Sequence, residues 1–132
     1  MKVQESAENY LETILILSQT ERSVRSVDIA ACQGYSKPSV SVAMKNLRAG
    51  GYILIDLDGY ITLTDSGRKI AEAMYERHIL ISDWLIFLGV DKKIAVNDAC
   101  KMEHAMSEES FKAIKNHIET WKRDIYKQKA EK

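Results

Sequence analysis

Apolar residues recur every three or four positions over the first part of the chain. From about Glu5 to Ser18 no Gly or Pro interrupts this spacing, which predicts an amphipathic first helix. A polar loop follows, and Ser26 is expected to cap a short second helix that begins near Val27. The residues expected to face inward from these two helices are Tyr10, Leu11, Ile14, Leu15, Leu17, Ile29, Ala30 and Cys32.

Turn residues separate the second helix from a third. Gly34-Tyr35-Ser36 is the expected turn, and Pro38 falls in the first turn of the next helix, where its missing N–H costs nothing. The third helix is expected to run to about Ala49 and to end at Gly50-Gly51. Two short helices joined by a turn that contains Gly are typical of a helix-turn-helix, whose second helix enters the DNA major groove.

Two β-forming segments come next. Tyr52–Ile55 and Tyr60–Leu63 flank Asp56-Leu57-Asp58-Gly59, whose Asp-Gly pair signals a hairpin turn. A hairpin directly after a helix-turn-helix is a wing. We therefore expect a winged helix-turn-helix DNA-binding domain over residues 1–72.

The rest of the chain is expected to be helical. Thr64 should cap a long helix over about residues 65–88, and a fifth helix should cover about residues 93–106. Ser107 should cap a sixth helix that frays into the charged tail from Lys127. The fold class is thus mainly α, with a winged helix followed by an all-helical domain over residues 73–132. This domain has more aromatic surface than so few helices can bury, which suggests a homodimer; the aromatic residues are Trp84, Phe87, Phe111 and Trp121.

Composition narrows the function classes. The 132 residues include 19 basic and 19 acidic side chains, and this zero net charge argues against holding nucleic acid by bulk charge alone. Residues 29–55 nevertheless contain three basic side chains and no acidic one. The absence of a long apolar run or a signal peptide, together with two widely separated cysteines, indicates a cytoplasmic chain with reduced thiols and no membrane partner.

The candidate chemistry lies in the predicted fifth helix. Cys100, Glu103 and His104 share one helix face, because residues three and four apart are neighbours. Thiolate, carboxylate and imidazole are the side-chain types that bind transition metals. The alternative is an amphipathic helix whose Cys packs inward while Glu and His stay in solvent.

Five stretches of the chain together resemble the diphtheria-toxin-repressor family of metal-dependent transcriptional regulators, in its short, two-domain, manganese-transport-regulator-like form. The resemblance implies a homodimer in which residues 73–132 form a metal-binding and dimerisation domain. Divalent metal bound between the first helix and this domain would position the winged helices. No third domain is expected. The matching stretches are residues 8–14, 36–41, 63–67, 77–78 and 97–107.

The resemblance also implies the metal ligands. Four of these ligand positions match the manganese-responsive branch, namely Glu12, His78, Glu103 and His104, whereas Cys100 matches the iron-responsive branch. Because a thiolate shifts the preference away from Mn²⁺, Fe²⁺ is the favoured metal and Mn²⁺ the second choice. Asn9 departs from both branches, and Ser82 and Val96 stand where the iron branch has the carboxylate and the imidazole of an ancillary site. The implied ligand positions are Asn9, Glu12, His78, Cys100, Glu103 and His104.

The expected function is a metal-activated, sequence-specific transcriptional repressor that controls metal ion homeostasis. Its expected partners are double-stranded operator DNA and a second copy of itself, with no organic cofactor. The alternatives are a winged-helix sensor of a small organic ligand and, less favoured, a metal-dependent enzyme, for which the chain offers no general base outside the ligand set. Residues expected to contact bases or phosphates are Ser36, Lys37, Pro38, Ser39, Ser41, Lys45 and Arg48.

Overall fold

The computed structural model describes residues 5–20 and 23–130, which form six helices and one two-stranded sheet. The chain divides into two compact units, Met1–Tyr75 and Glu76–Lys132. The predicted fold class is confirmed: mainly α, with a winged helix followed by a helical unit. The elements are α1 (Glu5–Thr20), α2 (Ser26–Gln33), α3 (Lys37–Ala49), β1 (Ile53–Ile55), β2 (Ile61–Leu63), α4 (Asp65–Phe87), α5 (Lys92–Ala105) and α6 (Glu108–Ala130). The boundary between the units lies within α4, as does the predicted domain boundary between residues 72 and 73.

The first unit packs its helices and sheet around one apolar core. Leu11 of α1, Ile29 of α2 and Val40 of α3 are completely buried. Burying each such side chain stabilises the fold by about 1.5–3 kcal/mol. The turn between α2 and α3 depends on Gly34, whose φ of 70° is left-handed and whose N–H donates to the carbonyl of Ala30.

The wing is a short antiparallel hairpin. Ile53 of β1 pairs with Leu63 of β2, and Ile53 is buried in the core of the first unit. The turn between the strands contains Gly59, whose φ of 85° is again left-handed. Leu57, at the tip of this turn, is fully exposed. The hairpin is therefore anchored at its base and extends into solvent at its tip.

Two expectations for α2 were wrong. The helix begins at Ser26 itself with Arg25 as its N-cap, and the carboxylate of Asp28 accepts a hydrogen bond of 2.8 Å from the Arg25 N–H. Cys32 is exposed, not a core residue. The reason is its position: it follows Ala30 by two residues and so lies about 200° around the helix from that buried side chain.

The second unit contains the end of α4 together with α5 and α6. The Asp91 carboxylate caps α5 by accepting a bond from the Lys93 N–H, and the Ser107 hydroxyl caps α6. Ala95 and Ala99, one turn apart on α5, are completely buried. Such small side chains let a helix backbone lie close to its neighbours.

The aromatic residues of the second unit differ in burial. Phe111 is buried, whereas Phe87 is 53% exposed and makes an edge-to-face contact of 4.5 Å with Trp121. Helix α6 continues to Ala130, three residues beyond Lys127, where fraying was expected to begin; the last two residues of that tail lie outside the described residues. Among the described residues, no helix combines the length and apolarity needed to cross a membrane. Several apolar side chains of this unit are exposed: Ile79, Ile86, Phe87, Leu88, Ile94 and Val96.

Candidate metal centre and DNA-binding surface

Two helices of the second unit bring three metal-binding side chains to one point. His78 lies on α4, and Cys100 and Glu103 lie one turn apart on the same face of α5. One imidazole nitrogen, the sulfur and one carboxylate oxygen all lie within 4.8 Å of one another. Ligands about 2.0–2.3 Å from a single ion are at most about 4.6 Å apart, so these atoms would need to move by only a few tenths of an ångström to share one cation.

Glu103 is the centre of this cluster. Its side chain is completely buried, with Oε2 3.2 Å from Nδ1 of His78 and Oε1 3.3 Å from Nε2 of His104. The side chain of His104 is only 3% exposed. The alternative in which Glu103 and His104 face solvent therefore does not hold. A carboxylate removed from water needs compensating charge or donors, which imidazoles or a bound cation supply.

The donor set fits a transition metal. Imidazole nitrogen and carboxylate oxygen bind Mn²⁺, Fe²⁺, Co²⁺ and Zn²⁺, while the sulfur of Cys100 shifts the preference away from Mn²⁺ and towards the softer ions. Cys100 is partly exposed and its thiol is not in a disulfide. His78 and Glu103 would supply the nitrogen and oxygen donors, and His104 lies at the second oxygen of Glu103.

The two other predicted ligands lie in the first unit, on α1. Glu12 is 4% exposed. The Asn9 Nδ2 lies 3.5 Å from both the Gln33 Oε1 and the Tyr35 hydroxyl. The Gln33 Nε2 donates to the Thr13 hydroxyl, which donates to the Asn9 carbonyl at 2.8 Å. Asn9 thus contacts the end of α2 and the turn before α3, and its role as a ligand stays a prediction.

Ser82 and Val96 stand at the two positions where the resemblance implies the carboxylate and the imidazole of the iron branch's ancillary site. Ser82 is buried and Val96 is exposed, and neither offers a carboxylate or an imidazole. Asp83, the neighbouring carboxylate, is exposed. The absence of an ancillary site in this chain stays a prediction.

The predicted DNA-contacting residues all lie on the exposed face of α3 or at its N-terminus. The opposite face packs into the core through Val40, Met44 and Leu47. Ser36 is the N-cap, and its hydroxyl oxygen accepts a bond of 3.3 Å from the Ser39 N–H. The helix therefore presents a polar, locally basic surface, as a recognition helix requires. The exposed residues are Ser36, Lys37, Pro38, Ser39, Ser41, Lys45 and Arg48.

One residue beside the cluster had no role in the sequence analysis. Arg77 precedes His78 on α4 and is 8% exposed. Its Nη1 donates to the backbone carbonyls of Glu103 at 2.9 Å and of Met106 at 2.8 Å. The signals in the sequence are its position next to His78, a predicted metal ligand, and the lack of a Gly to end α5. Neither signal identifies backbone carbonyls as its partners.

Comparison with known proteins identifies the class to which both units belong. Residues 2–59 match the family described as "Iron dependent repressor, N-terminal DNA binding domain". Residues 64–131 match "Iron dependent repressor, metal binding and dimerisation domain". The chain therefore belongs to the iron-dependent repressor family and is a metal-dependent transcriptional repressor. The predicted family and function class are confirmed, and the organic-ligand sensor is not favoured.

Individual relatives agree with this assignment. An uncharacterised HTH-type transcriptional regulator of Methanocaldococcus jannaschii is 33% identical over 89% of this chain and 96% of its own length. The transcriptional regulator MntR of Escherichia coli O6:H1 is 38% identical over 84% of this chain and 72% of its own length. A solved manganese-dependent transcriptional repressor in complex with manganese is 30% identical, with a TM-score of 0.77 over 85% of this chain. The present chain spans 52% of that structure's length.

Proposed function

We propose that this protein is a metal-activated repressor that binds operator DNA as a homodimer and controls genes of metal uptake or storage. The observation that carries the proposal is the convergence of His78, Cys100 and Glu103 within 4.8 Å in the same chain as a winged helix. A zero net charge adds support, because the chain lacks the excess positive charge that would hold DNA unconditionally. The proposed place of action is the cytoplasm.

Fe²⁺ is the proposed metal. Cys100 is the reason, since a thiolate favours Fe²⁺ over Mn²⁺ relative to a set of oxygen donors, and the metal available in the cell decides among the softer ions. Mn²⁺ is the second candidate, because a similar repressor of known structure is described as manganese-dependent. His104 is proposed as a further ligand through its position at the second oxygen of Glu103. Glu12 and Asn9 are proposed on the resemblance alone.

The proposed homodimer would use the second unit. Support comes from the exposed apolar side chains there, including Phe87 and Leu88, which are 53% and 57% exposed in the single chain. A monomer seldom leaves such a group of apolar side chains in solvent. A two-fold dimer would also place two α3 helices on one duplex, as half-site recognition requires.

The test is DNA binding as a function of metal. A DNA duplex would first be selected from a random library with the Fe²⁺-loaded protein under anaerobic conditions. Its binding would then be measured by fluorescence anisotropy with metal-free protein and with protein loaded with Fe²⁺, Mn²⁺, Co²⁺ or Zn²⁺. We expect tight binding only with metal, its loss on addition of chelator, and the strongest response with Fe²⁺. Equal affinity with and without metal would refute the proposal, and a strongest response with Mn²⁺ would refute its choice of metal.

A further inference from the structure

The C-terminal turn of α5 ends in an unusual way. The helix stops at Ala105, and Met106 is extended, with φ −96° and ψ 143°. The last carbonyl groups of any helix have no partner within the helix, and a Gly in the left-handed conformation commonly ends the turn and satisfies them. The chain has no Gly at this point. A side chain from another helix supplies the missing donors.

That side chain is Arg77 of α4. Its Nη1 donates to the carbonyls of Glu103 and Met106 at 2.9 and 2.8 Å, and its guanidinium lies 5.0 Å from the ring centroid of Phe111 on α6. These distances are those of charge-assisted hydrogen bonds, which are stronger than bonds between neutral groups. The positive charge also lies at the negative end of the α5 dipole. Arg77 thus fixes the end of α5 to both neighbouring helices.

Glu103 is held by two consecutive residues of α4. Arg77 bonds its backbone carbonyl, and His78 lies 3.2 Å from its carboxylate. Glu103 lies in the last turn of α5 and Cys100 lies one turn earlier on the same face, so the end of this helix sets the position of the carboxylate directly. A site that binds metal tightly needs its ligands held near their final geometry before the ion arrives.

We propose that Arg77 is a positioning residue for the metal site: by bonding the end of α5, it holds Glu103 at the distance from His78 that metal binding requires. This inference rests on the proposed metal function of the cluster. It goes beyond that function in naming a residue that touches no metal and yet sets the affinity. Groups that orient metal ligands typically contribute 10–100-fold in metal affinity.

The experiment compares Arg77→Met, Arg77→Lys and the parent. Arg68→Met is the matched control, because Arg68 is also on α4 but is exposed and pairs with Glu72 over 3.7 Å in the first unit. Full-length protein, freed of metal, would be titrated with Co²⁺ well below the unfolding temperature of each variant. Absorption from sulfur-to-cobalt charge transfer reports Cys100, and the visible ligand-field bands report coordination geometry. Circular dichroism of the metal-free proteins checks the fold.

We expect Arg77→Met to weaken Co²⁺ binding by about 10–100-fold and to change the ligand-field bands. Arg77→Lys keeps the charge but not the planar donor group, so its loss should be smaller, and Arg68→Met should match the parent. A residue that only stabilises the fold would lower the unfolding temperature and leave both affinity and spectrum unchanged. That result in a folded Arg77→Met protein overturns the proposal. If Arg77→Met does not fold, an unchanged affinity and spectrum in Arg77→Lys overturns it.

The design separates this inference from the proposed function. The titration contains no DNA, so it does not depend on repression. A parent protein that binds no Co²⁺ overturns both ideas. If the parent protein binds Co²⁺ and shows the sulfur-to-cobalt absorption band, but the Arg77 variants bind Co²⁺ with the same affinity, only the role of Arg77 is overturned.

Discussion

Replacing Glu103 with Gln should remove most of the stabilisation that metal gives to the protein. The substitution keeps the volume of a completely buried side chain, so it adds no cavity. It replaces one carboxylate oxygen with an NH₂ group, which donates and cannot bind a cation. Because both oxygens lie within 3.3 Å of an imidazole nitrogen, either orientation of the amide disturbs His78 or His104.

The magnitude follows from binding linkage. A metal present at 100 times its dissociation constant stabilises the folded state by about 2.7 kcal/mol. If the variant binds 100-fold more weakly, as loss of a ligand should cause at the least, the same metal concentration gives about 0.4 kcal/mol. For a chain of this size, about 1 kcal/mol shifts the unfolding temperature by about 4 °C. The shift caused by metal should therefore fall from about 11 °C in the parent to about 2 °C in the variant.

The assay is thermal unfolding followed by circular dichroism, with and without metal at a fixed concentration. Glu109→Gln is the control, because Glu109 is an exposed residue in the first turn of α6. The control should keep the full shift. If Glu103→Gln also keeps it, Glu103 does not bind the metal, and the cluster around it is a buried polar network without a cation.

Other predictions concern selectivity and DNA. Cys100→Glu replaces a soft donor with a hard one and should move the metal preference towards Mn²⁺ relative to Co²⁺, as measured by competition titration; an unchanged ranking would mean that Cys100 is not a ligand. Arg48 lies in the last turn of α3, where we expect it to contact a phosphate and not a base. Arg48→Ala should therefore weaken binding to specific and scrambled duplexes alike. It should also reduce the slope of log binding constant against log salt concentration by about one unit. Lys37→Ala, at the first turn, should instead reduce discrimination by about 1–3 kcal/mol if a base contact is lost. Salt titrations that give the reverse assignment would show that α3 docks in the opposite direction.

Local signals in the sequence were sufficient for most of the fold. Gly34, Pro38 and the Asp58-Gly59 pair each constrain the backbone at one position, so the turn, the recognition helix and the wing could be located without tertiary information. Cys32 could not be assigned in this way. An eight-residue helix buries few side chains, and which of its faces is covered depends on the neighbouring helices.

The candidate site was predictable only in part. Spacing along one helix placed Cys100, Glu103 and His104 on one face, but the approach of His78 depends on how α4 packs against α5. The burial of Glu103 ran against its polarity, which by itself favours a solvent-exposed position. The hydrogen-bond partners of Arg77 could not be identified from its position beside His78, because backbone carbonyls are the same at every residue.

The donors and acceptors of the hydrogen bonds that link Asn9, Thr13 and Gln33 can be assigned. The Thr13 hydroxyl has one hydrogen, which it donates to the Asn9 carbonyl, so towards Gln33 it can only accept. The Gln33 amide must therefore turn its NH₂ to Thr13 and its oxygen to Asn9. A donor is therefore favoured on the side chain of residue 9, and the Asn amide, 3.5 Å from the Gln33 oxygen, provides one.

An aspartate at residue 9 would place one acceptor against another. It would be accommodated only if the Gln33 amide turned over and Thr13 gave up its bond to the backbone, and each such bond contributes about 1 kcal/mol. The polarity of the neighbouring side chains therefore favours Asn over Asp at residue 9. An Asn9→Asp variant made to test whether residue 9 binds metal should be accompanied by changes at Thr13 and Gln33 that restore the hydrogen bonds.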